Sequence, residues 1–114
     1  MAIFEAFKAI NNRVKAMAAS ELDGHKLMSR AFSDADPLIV LADVTDETGR
    51  NIQSGFRFLF MGAGQGIRNS DAHEQFTPLD AEEGLEYLAF ASMLMRRLDE
   101  AEVKRTSGGV APSE

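Results

Sequence analysis

The fold prediction depends on residues 50–68, which read RNIQSGFRFLFMGAGQGIR. On a helical wheel with a step of about 100° per residue, most of the apolar side chains of this segment fall within an arc of about 100°. They are Ile52, Phe56, Leu59, Phe60, Ala63 and Ile67. A single apolar arc is typical of an amphipathic helix, so we predict a helix over this segment with that arc in the protein core.

The same wheel carries two further rows of residues. Arg50, Arg57 and Arg68 lie together opposite the apolar arc. Glycines form a narrow row between the two faces, and such a row lets another helix approach closely. Because each glycine inside a helix costs about 1 kcal/mol relative to alanine, a contact outside the helix must compensate. We therefore predict a self-association surface made by Gly55, Gly62, Gly66, Phe58 and Met61.

A competing interpretation takes Phe56, Phe58 and Phe60 as a strand that leads into a glycine-rich phosphate loop. The loop lacks both the dinucleotide-binding fingerprint and the P-loop lysine, and the helix explains more positions. This interpretation requires extended backbone at residues 56–60.

The flanking sequence predicts three more helices. Apolar residues at steps of three and four predict a helix over residues 2–18, and a shorter helix follows over residues 22–32. Residues 38–44 contain a short branched apolar run that predicts an extended segment. A last helix runs from the N-cap Asp80, with Glu83 completing a capping box, to about Val103. Its predicted buried face consists of Leu85, Leu88, Ala91, Met95 and Leu98.

Length and composition indicate one all-α domain, a bundle of about four helices. The chain has 114 residues, of which 45% are hydrophobic, and no cysteine that could form a disulfide. We assign residues 1–105 to the domain and residues 106–114, rich in small polar residues, to a disordered tail. No apolar run has the length of a signal peptide or membrane span, so we expect a cytoplasmic protein without membrane contacts.

The net charge of −6 disfavours a protein that coats nucleic acid nonspecifically, because that mode needs many Lys and Arg contacts to phosphates. Any RNA site must therefore be local. Two isolated histidines and no cysteines also argue against a zinc site, so we expect neither a metal nor a cofactor.

The residues with the most chemical potential are Arg68, Asn69 and His73. The arginine can hold a phosphate, the histidine can transfer a proton near neutral pH, and the asparagine offers an amide donor and acceptor. Metal-free RNA cleavage through the 2′-hydroxyl needs these groups. Glu74 is a candidate to orient His73, and Arg57 and Arg50 are candidates to contact neighbouring phosphates.

Arg68 and His73 are five residues apart, which separates them by about 140° on an unbroken helix. Either the chain turns near Asn69, or two copies of the chain face each other and pool these residues. The simpler interpretation makes His73 a surface or capping residue and Arg68 a surface ion-pair partner of Asp71 or Glu74. His25 has no comparable neighbours in the sequence and is interpreted as a surface residue.

Several segments together resemble the Ymh-type family of HEPN domains. They are residues 27–33 with Pro37, 55–63, 67–69, 72–74 and 89–99. The resemblance covers about Phe4 to Ala101, and in it Arg68 and His73 correspond to the Arg-x4-His motif, with Asn69 at the polar place after the arginine. Members of this family often have an additional N-terminal region, so the chain is either a stand-alone version or an excised domain.

The resemblance implies a dimer of helical HEPN bundles, with the motifs of both copies lining one cleft. It also implies a metal-independent endoribonuclease of toxin–antitoxin or phage-defence type. The expected partners are an RNA substrate, a second copy of the chain, and a cognate antitoxin or larger defence protein. The alternative is a noncatalytic HEPN dimer that binds RNA, a nucleotide or a protein.

Overall fold

The computed structural model describes residues 2–68 and 80–103. In these ranges the chain forms helices α1 (Ala2–Ala18), α2 (Gly24–Ala31), α3 (Glu47–Gly62) and α4 (Ala81–Asp99). A π-helical segment, Ala63–Arg68, continues α3 directly. Two short strands, β1 (Ile39–Val40) and β2 (Glu102–Val103), pair antiparallel. The predicted all-α class is confirmed, as is the extended segment within residues 38–44. None of the described helices is long and apolar enough to cross a membrane.

Helix α1 has the bounds that its apolar spacing predicts, and it supplies one side of the core. Ile3, Phe7, Ile10 and Val14 are buried along one face. The Phe7 ring lies 5.9 Å from the ring of Phe90 on α4. On the next turns Arg13 forms an ion pair of 2.8 Å with Asp99, so apolar and charged contacts both join α1 to α4.

Helix α2 begins two residues later than predicted, because a buried polar side chain of α1 fixes its start. The backbone N–H of Gly24 donates to Asn11 Oδ1 at 2.9 Å, and Asn11 Nδ2 donates to Asp23 Oδ1 at 2.9 Å. Asp23 is extended and precedes the helix, which leaves Leu22 outside it and exposed. The spacing of apolar residues carries no signal for this polar contact.

Helices α2 and α3 pack antiparallel, because residues further along α3 contact residues nearer the start of α2. Gln53 Nε2 donates to the carbonyl oxygen of Phe32, at the end of α2, and one turn later Arg57 Nε donates to the carbonyl oxygen of Ser29 at 3.0 Å. The rings of Phe32 and Phe60 also stack, with centroids 4.3 Å apart. Beyond the end of α3, a Cβ placed on Gly64 would lie 3.2 Å from the carbonyl carbon of Gly24, so the π-helical segment lies close to the start of α2.

A buried glutamine joins α3 to the extended segment. Gln53 is completely buried, and its Oε1 accepts a hydrogen bond of 2.8 Å from the backbone N–H of Leu41. Its Nε2 donates to the carbonyl oxygens of Ile39 at 3.0 Å and Phe32 at 3.3 Å. One side-chain amide therefore satisfies three backbone groups that have left regular helix geometry.

Helix α4 binds the carbonyl of Leu41, the residue whose N–H donates to Gln53. Arg97 Nη2 donates to this oxygen at 2.9 Å, and the Arg97 guanidinium carbon lies 4.6 Å from the ring centre of Phe56. Strand β2 follows α4 and pairs Val103 with Ile39. Side chains from α3 and α4 thus hold the extended segment between the two helices.

The predicted core face of α3 is only partly correct. Phe60 and Ala63 are buried and Phe56 is half-buried, but Ile52 and Leu59 are 42% and 41% exposed. The buried arc is rotated toward Gln53 and Gly49, because Gln53 binds backbone groups that a hydrophobicity wheel does not include. The side chain of Ile67 lies outside the described residues.

The backbone of this region decides between the two interpretations of the sequence. Residues 56–60 are helical, which confirms the predicted helix and removes the competing strand and phosphate-loop interpretation. The π-helical segment also has more residues per turn than an α-helix, so the constant step that aligned Arg68 with Arg57 does not hold beyond Gly62.

Helix α4 starts as predicted and ends earlier. The carboxylate of Asp80 accepts a hydrogen bond of 2.9 Å from the backbone N–H of Glu83, which confirms the cap. The helix ends at Asp99 because the following residues pair with β1. On its predicted face Ala91 and Leu98 are buried, whereas Leu85 is 66% exposed and the buried Leu94 was missed.

Two glycines of α3 provide a matched test of this packing. A Cβ on Gly49 would overlap the backbone carbonyl of Asp43, whereas a Cβ on Gly55 would meet no atom within 4 Å. We expect Gly49→Ala to lower the free energy of unfolding by about 1–3 kcal/mol through overpacking. Gly55→Ala should raise it by about 0.4–1 kcal/mol because alanine favours the helix. Urea unfolding at a concentration where the chain is monomeric measures both, and equal effects would contradict this packing.

A second prediction concerns Gln53. Gln53→Leu keeps an apolar core but leaves the N–H of Leu41 and the carbonyls of Ile39 and Phe32 without their partner. We expect a loss of about 2–4 kcal/mol in unfolding free energy, since a buried unsatisfied group costs about 1–3 kcal/mol. Gln65→Leu, at an exposed glutamine, should change the same quantity by less than about 0.5 kcal/mol. A Gln53→Leu protein as stable as the control would show that these hydrogen bonds contribute little.

Candidate functional site

The predicted catalytic residues fall largely on residues that the structure does not describe. Asn69, His73 and Glu74 lie outside the described residues, and so does the side chain of Arg68. The backbone of Arg68 ends the π-helical segment, which contacts α1 and α2. The assignment of these four residues to a catalytic site therefore stays a prediction.

The two predicted phosphate-contacting arginines, Arg50 and Arg57, have different surroundings. Arg57 is half-buried and reaches across to α2, where its Nη2 donates to the Ser29 hydroxyl at 2.7 Å. Arg50 is exposed at the start of α3, and its Nη1 donates to the carbonyl of Val44 at 3.2 Å. Arg50 and Arg57 thus share a row on the wheel but have separate environments in the structure, and Arg57 lines a concave surface.

That surface is an open groove of about 480 Å³ between α2, α3 and the loop that follows α2. We call it the α2–α3 groove. Its lining residues are His25, Lys26, Ser29, Arg30, Ser33, Asp36 and Arg57. Most of them come from α2, because residues three and four apart on a helix lie on the same face.

The α2–α3 groove is locally basic in an acidic protein. Lys26, Arg30 and Arg57 are cationic, and Asp36 is the one carboxylate among the lining residues, whereas the whole chain carries −6. Arg30 Nη2 lies 3.3 Å from the Asp36 carboxylate, and its Nη1 donates to the Asp36 carbonyl at 2.8 Å. This arrangement can bind an anion, since cationic donors and hydroxyls converge on one opening.

Hydrogen bonds hold several groups of the groove in place. Ser29 accepts both bonds from Arg57, through its carbonyl oxygen and its hydroxyl. The Ser33 hydroxyl accepts from the backbone N–H of Ala35 and of Asp36 at 3.3 and 3.2 Å. The Arg57 guanidinium also lies 5.8 Å from the centre of the Phe58 ring. Arg57 is therefore fixed before any ligand arrives.

A second surface is the outer face of α3. Ile52 and Leu59 alternate along it with Gly55 and Gly62, and neither glycine has an atom within 4 Å of its added Cβ. Phe58, at the margin of this face, is 59% exposed, whereas Met61 is half-buried and packs against the core. Two apolar residues that were predicted to lie in the core, Ile52 and Leu59, are therefore exposed on the face that carries the predicted self-association surface.

The part of the chain that the structure describes has no cluster of three or more His, Cys, Asp or Glu residues arranged to hold a metal ion.

A further pocket lies beside the sheet and is lined in part by Asp43, Glu100 and Glu102. Hydrogen bonds from the hydroxyl and the backbone N–H of Thr45 lower the pKa of the Asp43 carboxyl below its ordinary value. Those bonds fix the turn before α3.

Comparison with protein families assigns most of the chain to a single family. Residues 1–98 match the model of a family described as "Protein of unknown function (Hypoth_ymh)". The chain belongs to this family. Comparisons with curated proteins and with solved structures found no match.

Membership of the Hypoth_ymh family corrects the resemblance drawn from the sequence. The segments that suggested Ymh-type proteins lie within the matched range except for Asp99, but the family is described as one of unknown function and the match does not connect it to HEPN domains. The assignment to the HEPN superfamily is therefore wrong. The activity inferred for Arg68 and His73 therefore depends on the chemistry of these side chains alone.

Most of the α2–α3 groove was not predicted from the sequence. His25 was predicted to be an isolated surface residue, and no role was predicted for Lys26, Ser29 or Arg30. A wheel of α2 contains part of the signal, because His25 and Ser29 are four residues apart, as are Lys26 and Arg30. The missing information was the contribution of Arg57 from α3, which depends on the antiparallel packing of the two helices.

Proposed function

We propose that the protein is a metal-independent endoribonuclease that acts as a homodimer, with Arg68, Asn69 and His73 of both copies forming the catalytic site. The observation that carries the proposal is the position of the π-helical segment. This segment ends at Arg68 and lies against the start of α2, where the basic α2–α3 groove begins with His25 and Lys26. Interruptions of this kind in α-helices frequently occur at functional sites.

In the proposed reaction one His73 removes the proton from a 2′-hydroxyl, and the 2′-oxygen attacks the adjacent phosphorus. The bond to the 5′-oxygen breaks, and His73 of the second copy protonates this leaving group. The products are a 2′,3′-cyclic phosphate and a free 5′-hydroxyl. Arg68 holds the phosphate and stabilises the charge that develops on its oxygens, while Asn69 positions the phosphate or the imidazole. Glu74 is the candidate to orient His73.

The dimer is proposed because the outer face of α3 is apolar and lined by glycines. Ile52 and Leu59 can fit beside Gly55 and Gly62 of a second copy at close distance, and Gly66 lies further along the chain. If the two α3 helices pair parallel, about a two-fold axis that runs along them, both copies of the segment that follows α3 come to the same end of the assembly.

A toxin or phage-defence role in the cytoplasm accompanies this proposal, because unrestrained RNA cleavage stops growth. A cognate antitoxin or a larger defence protein would then restrain or direct the enzyme. The second candidate function is a noncatalytic dimer that binds RNA, a nucleotide or a protein. The basic α2–α3 groove favours RNA binding among these, because it offers cationic donors whether or not cleavage follows.

Cleavage can be tested with total RNA in excess EDTA. We expect the wild-type chain to cut RNA, and Arg68→Ala and His73→Ala to lower the rate by about 10²–10⁴-fold each, as loss of a positioned acid, base or oxyanion donor does. Arg96→Ala removes an exposed cation from α4 and should leave the rate unchanged. Intact RNA with folded wild-type protein under all conditions would leave the noncatalytic module as the function.

The composite site predicts complementation between inactive variants. If Arg68 of one copy acts with His73 of the other, a mixed dimer of Arg68→Ala and His73→Ala chains contains one Arg68–His73 pair, whereas neither parent homodimer contains one. The mixed dimer lacks the second His73, so water must protonate the leaving group and the rate is restored only in part. Mixing the two purified variants should therefore restore a measurable part of the cleavage rate. Two variants that stay inactive after exchange of subunits, verified by differently tagged chains, would contradict the pairing of Arg68 and His73 across the dimer.

The dimer surface can be tested by charge substitution. Leu59→Glu places a carboxylate in the centre of the outer face of α3 and should convert dimers to monomers, because an unpaired charge in an apolar contact is costly. Leu85→Glu makes the same change at an exposed leucine of α4 and should leave the dimer intact. Analytical ultracentrifugation measures both. A wild-type chain that is monomeric at all concentrations, or a Leu59→Glu chain that dimerises normally, contradicts the proposed interface.

A further inference from the structure

We propose that the α2–α3 groove binds the backbone of single-stranded RNA, with Lys26, Arg30 and Arg57 contacting phosphates and Phe58 stacking on a base. This inference rests on the proposed function only in its choice of ligand. It assigns binding residues that lie apart from Arg68 and His73 in sequence and that the structure describes directly.

The charges of the groove favour a ligand with several phosphates. Three cationic side chains and a single carboxylate, that of Asp36, line the groove. On α2, Lys26 and Arg30 are one turn apart, with Cβ atoms about 5–6 Å from each other, and Arg57 approaches from α3. A row of cations from two helices matches a chain of anionic groups better than it matches one small anion.

Arg57 is prepared for phosphate binding. Its Nε and Nη2 donate to Ser29, and a guanidinium has five N–H donors, so donors beyond these two bonds can serve a ligand. Holding the guanidinium in advance lowers the entropy cost of binding, which long side chains otherwise incur. Ser29 therefore acts as a positioning residue for Arg57.

Phe58 distinguishes a nucleic acid from a free phosphate as the ligand. Its ring is 59% exposed and lies 5.8 Å from the Arg57 guanidinium, so an aromatic face adjoins a phosphate-binding cation. Proteins that bind single-stranded nucleic acid combine these two features, since bases stack on aromatic rings beside a cationic groove. The hydroxyls of Ser29 and Ser33 and the imidazole of His25 add groups that can hydrogen-bond phosphate and ribose oxygens.

Asp36 gives a prediction of opposite sign, because its carboxylate occupies the position that a phosphate would take beside Arg30. The exposed pair between Arg30 and Asp36 is 3.3 Å long and competes with any bound anion. Removing the negative charge from Asp36 should therefore strengthen binding. A gain of this kind cannot arise from a protein that has lost its fold.

The test measures binding of a short 2′-O-methyl oligoribonucleotide by fluorescence anisotropy over a range of salt concentrations. This probe lacks the 2′-hydroxyl nucleophile, so the full chain binds it without cleaving it. We expect Arg57→Ala and Lys26→Ala to raise Kd about tenfold and to reduce the slope of log K against log salt by about 0.7 per lost contact. Asp36→Asn should lower Kd, and Arg96→Ala, which removes an exposed cation outside the groove, should change neither quantity.

Phe58→Leu tests the stacking contact separately. Leucine keeps an apolar side chain for any contact between copies but removes the aromatic face, so Kd for the oligonucleotide should rise about fivefold or more while the salt slope stays unchanged. Competition with uridine monophosphate and with inorganic phosphate identifies the source of the anion. Neither should displace the oligonucleotide at concentrations near the protein's Kd for that probe.

The inference is overturned if the groove variants bind the oligonucleotide like Arg96→Ala, if Asp36→Asn does not tighten binding, or if a free phosphate competes equally well. These results are independent of catalysis. Binding that follows the groove residues without any cleavage of natural RNA removes the proposed enzyme and keeps the groove. If cleavage depends on Arg68 and His73 while the groove variants bind normally, the binding groove is removed and the proposed enzyme is kept.

Discussion

The buried amide of Gln53 is the contact on which the rest of this structure depends. It hydrogen-bonds to Leu41, Ile39 and Phe32, and so joins α3 to the strand region and to the end of α2 at once. A buried amide that makes all these bonds fixes one alignment of α3, because sliding the helix by one residue would leave the polar groups unsatisfied. Apolar packing alone tolerates more than one alignment, since its energy depends mainly on buried area.

The candidate binding surface follows from this alignment. Arg57 is one turn beyond Gln53 on α3, and Ser29 is one turn before Phe32 on α2, so the antiparallel packing that lets Gln53 reach Phe32 also lets Arg57 reach Ser29. The stacked rings of Phe32 and Phe60 hold the same pair of helices from the apolar side. The groove is therefore a consequence of the core, and a substitution at Gln53 should disturb the position of Arg57 as well as the stability of the domain.

The sequence was sufficient for the local structure and insufficient for the contacts between elements. Steps of three and four residues gave the bounds of α1, and the cap at Asp80 gave the start of α4, because both signals are local. Gln53 and Asn11 are polar residues in the core, and their roles depend on backbone partners that are distant in sequence. The wheel of α3 therefore assigned Ile52 and Leu59 to the core in place of Gln53. For the same reason, Arg57 was recognised as a candidate phosphate ligand, whereas its neighbours on α2 were not.

The acidic character of the chain is compatible with a basic groove, and it would confine the proposed RNA ligand to that groove. At physiological ionic strength charges are screened over about 8 Å, so a ligand in the groove responds mainly to Lys26, Arg30, Arg57 and Asp36. The whole chain carries −6 and the groove residues contribute +2 to that total, so the rest of the chain carries −8 and repels polyanions that approach elsewhere. A uniformly basic protein would hold RNA over its whole surface and would gain affinity at the expense of a defined position for the strand. Under the proposed function, a local groove next to the segment that carries Arg68 would instead restrict the strand to one approach. This restriction would matter for the proposed catalyst, because a phosphate must lie within reach of fixed groups before proton transfer can assist its cleavage.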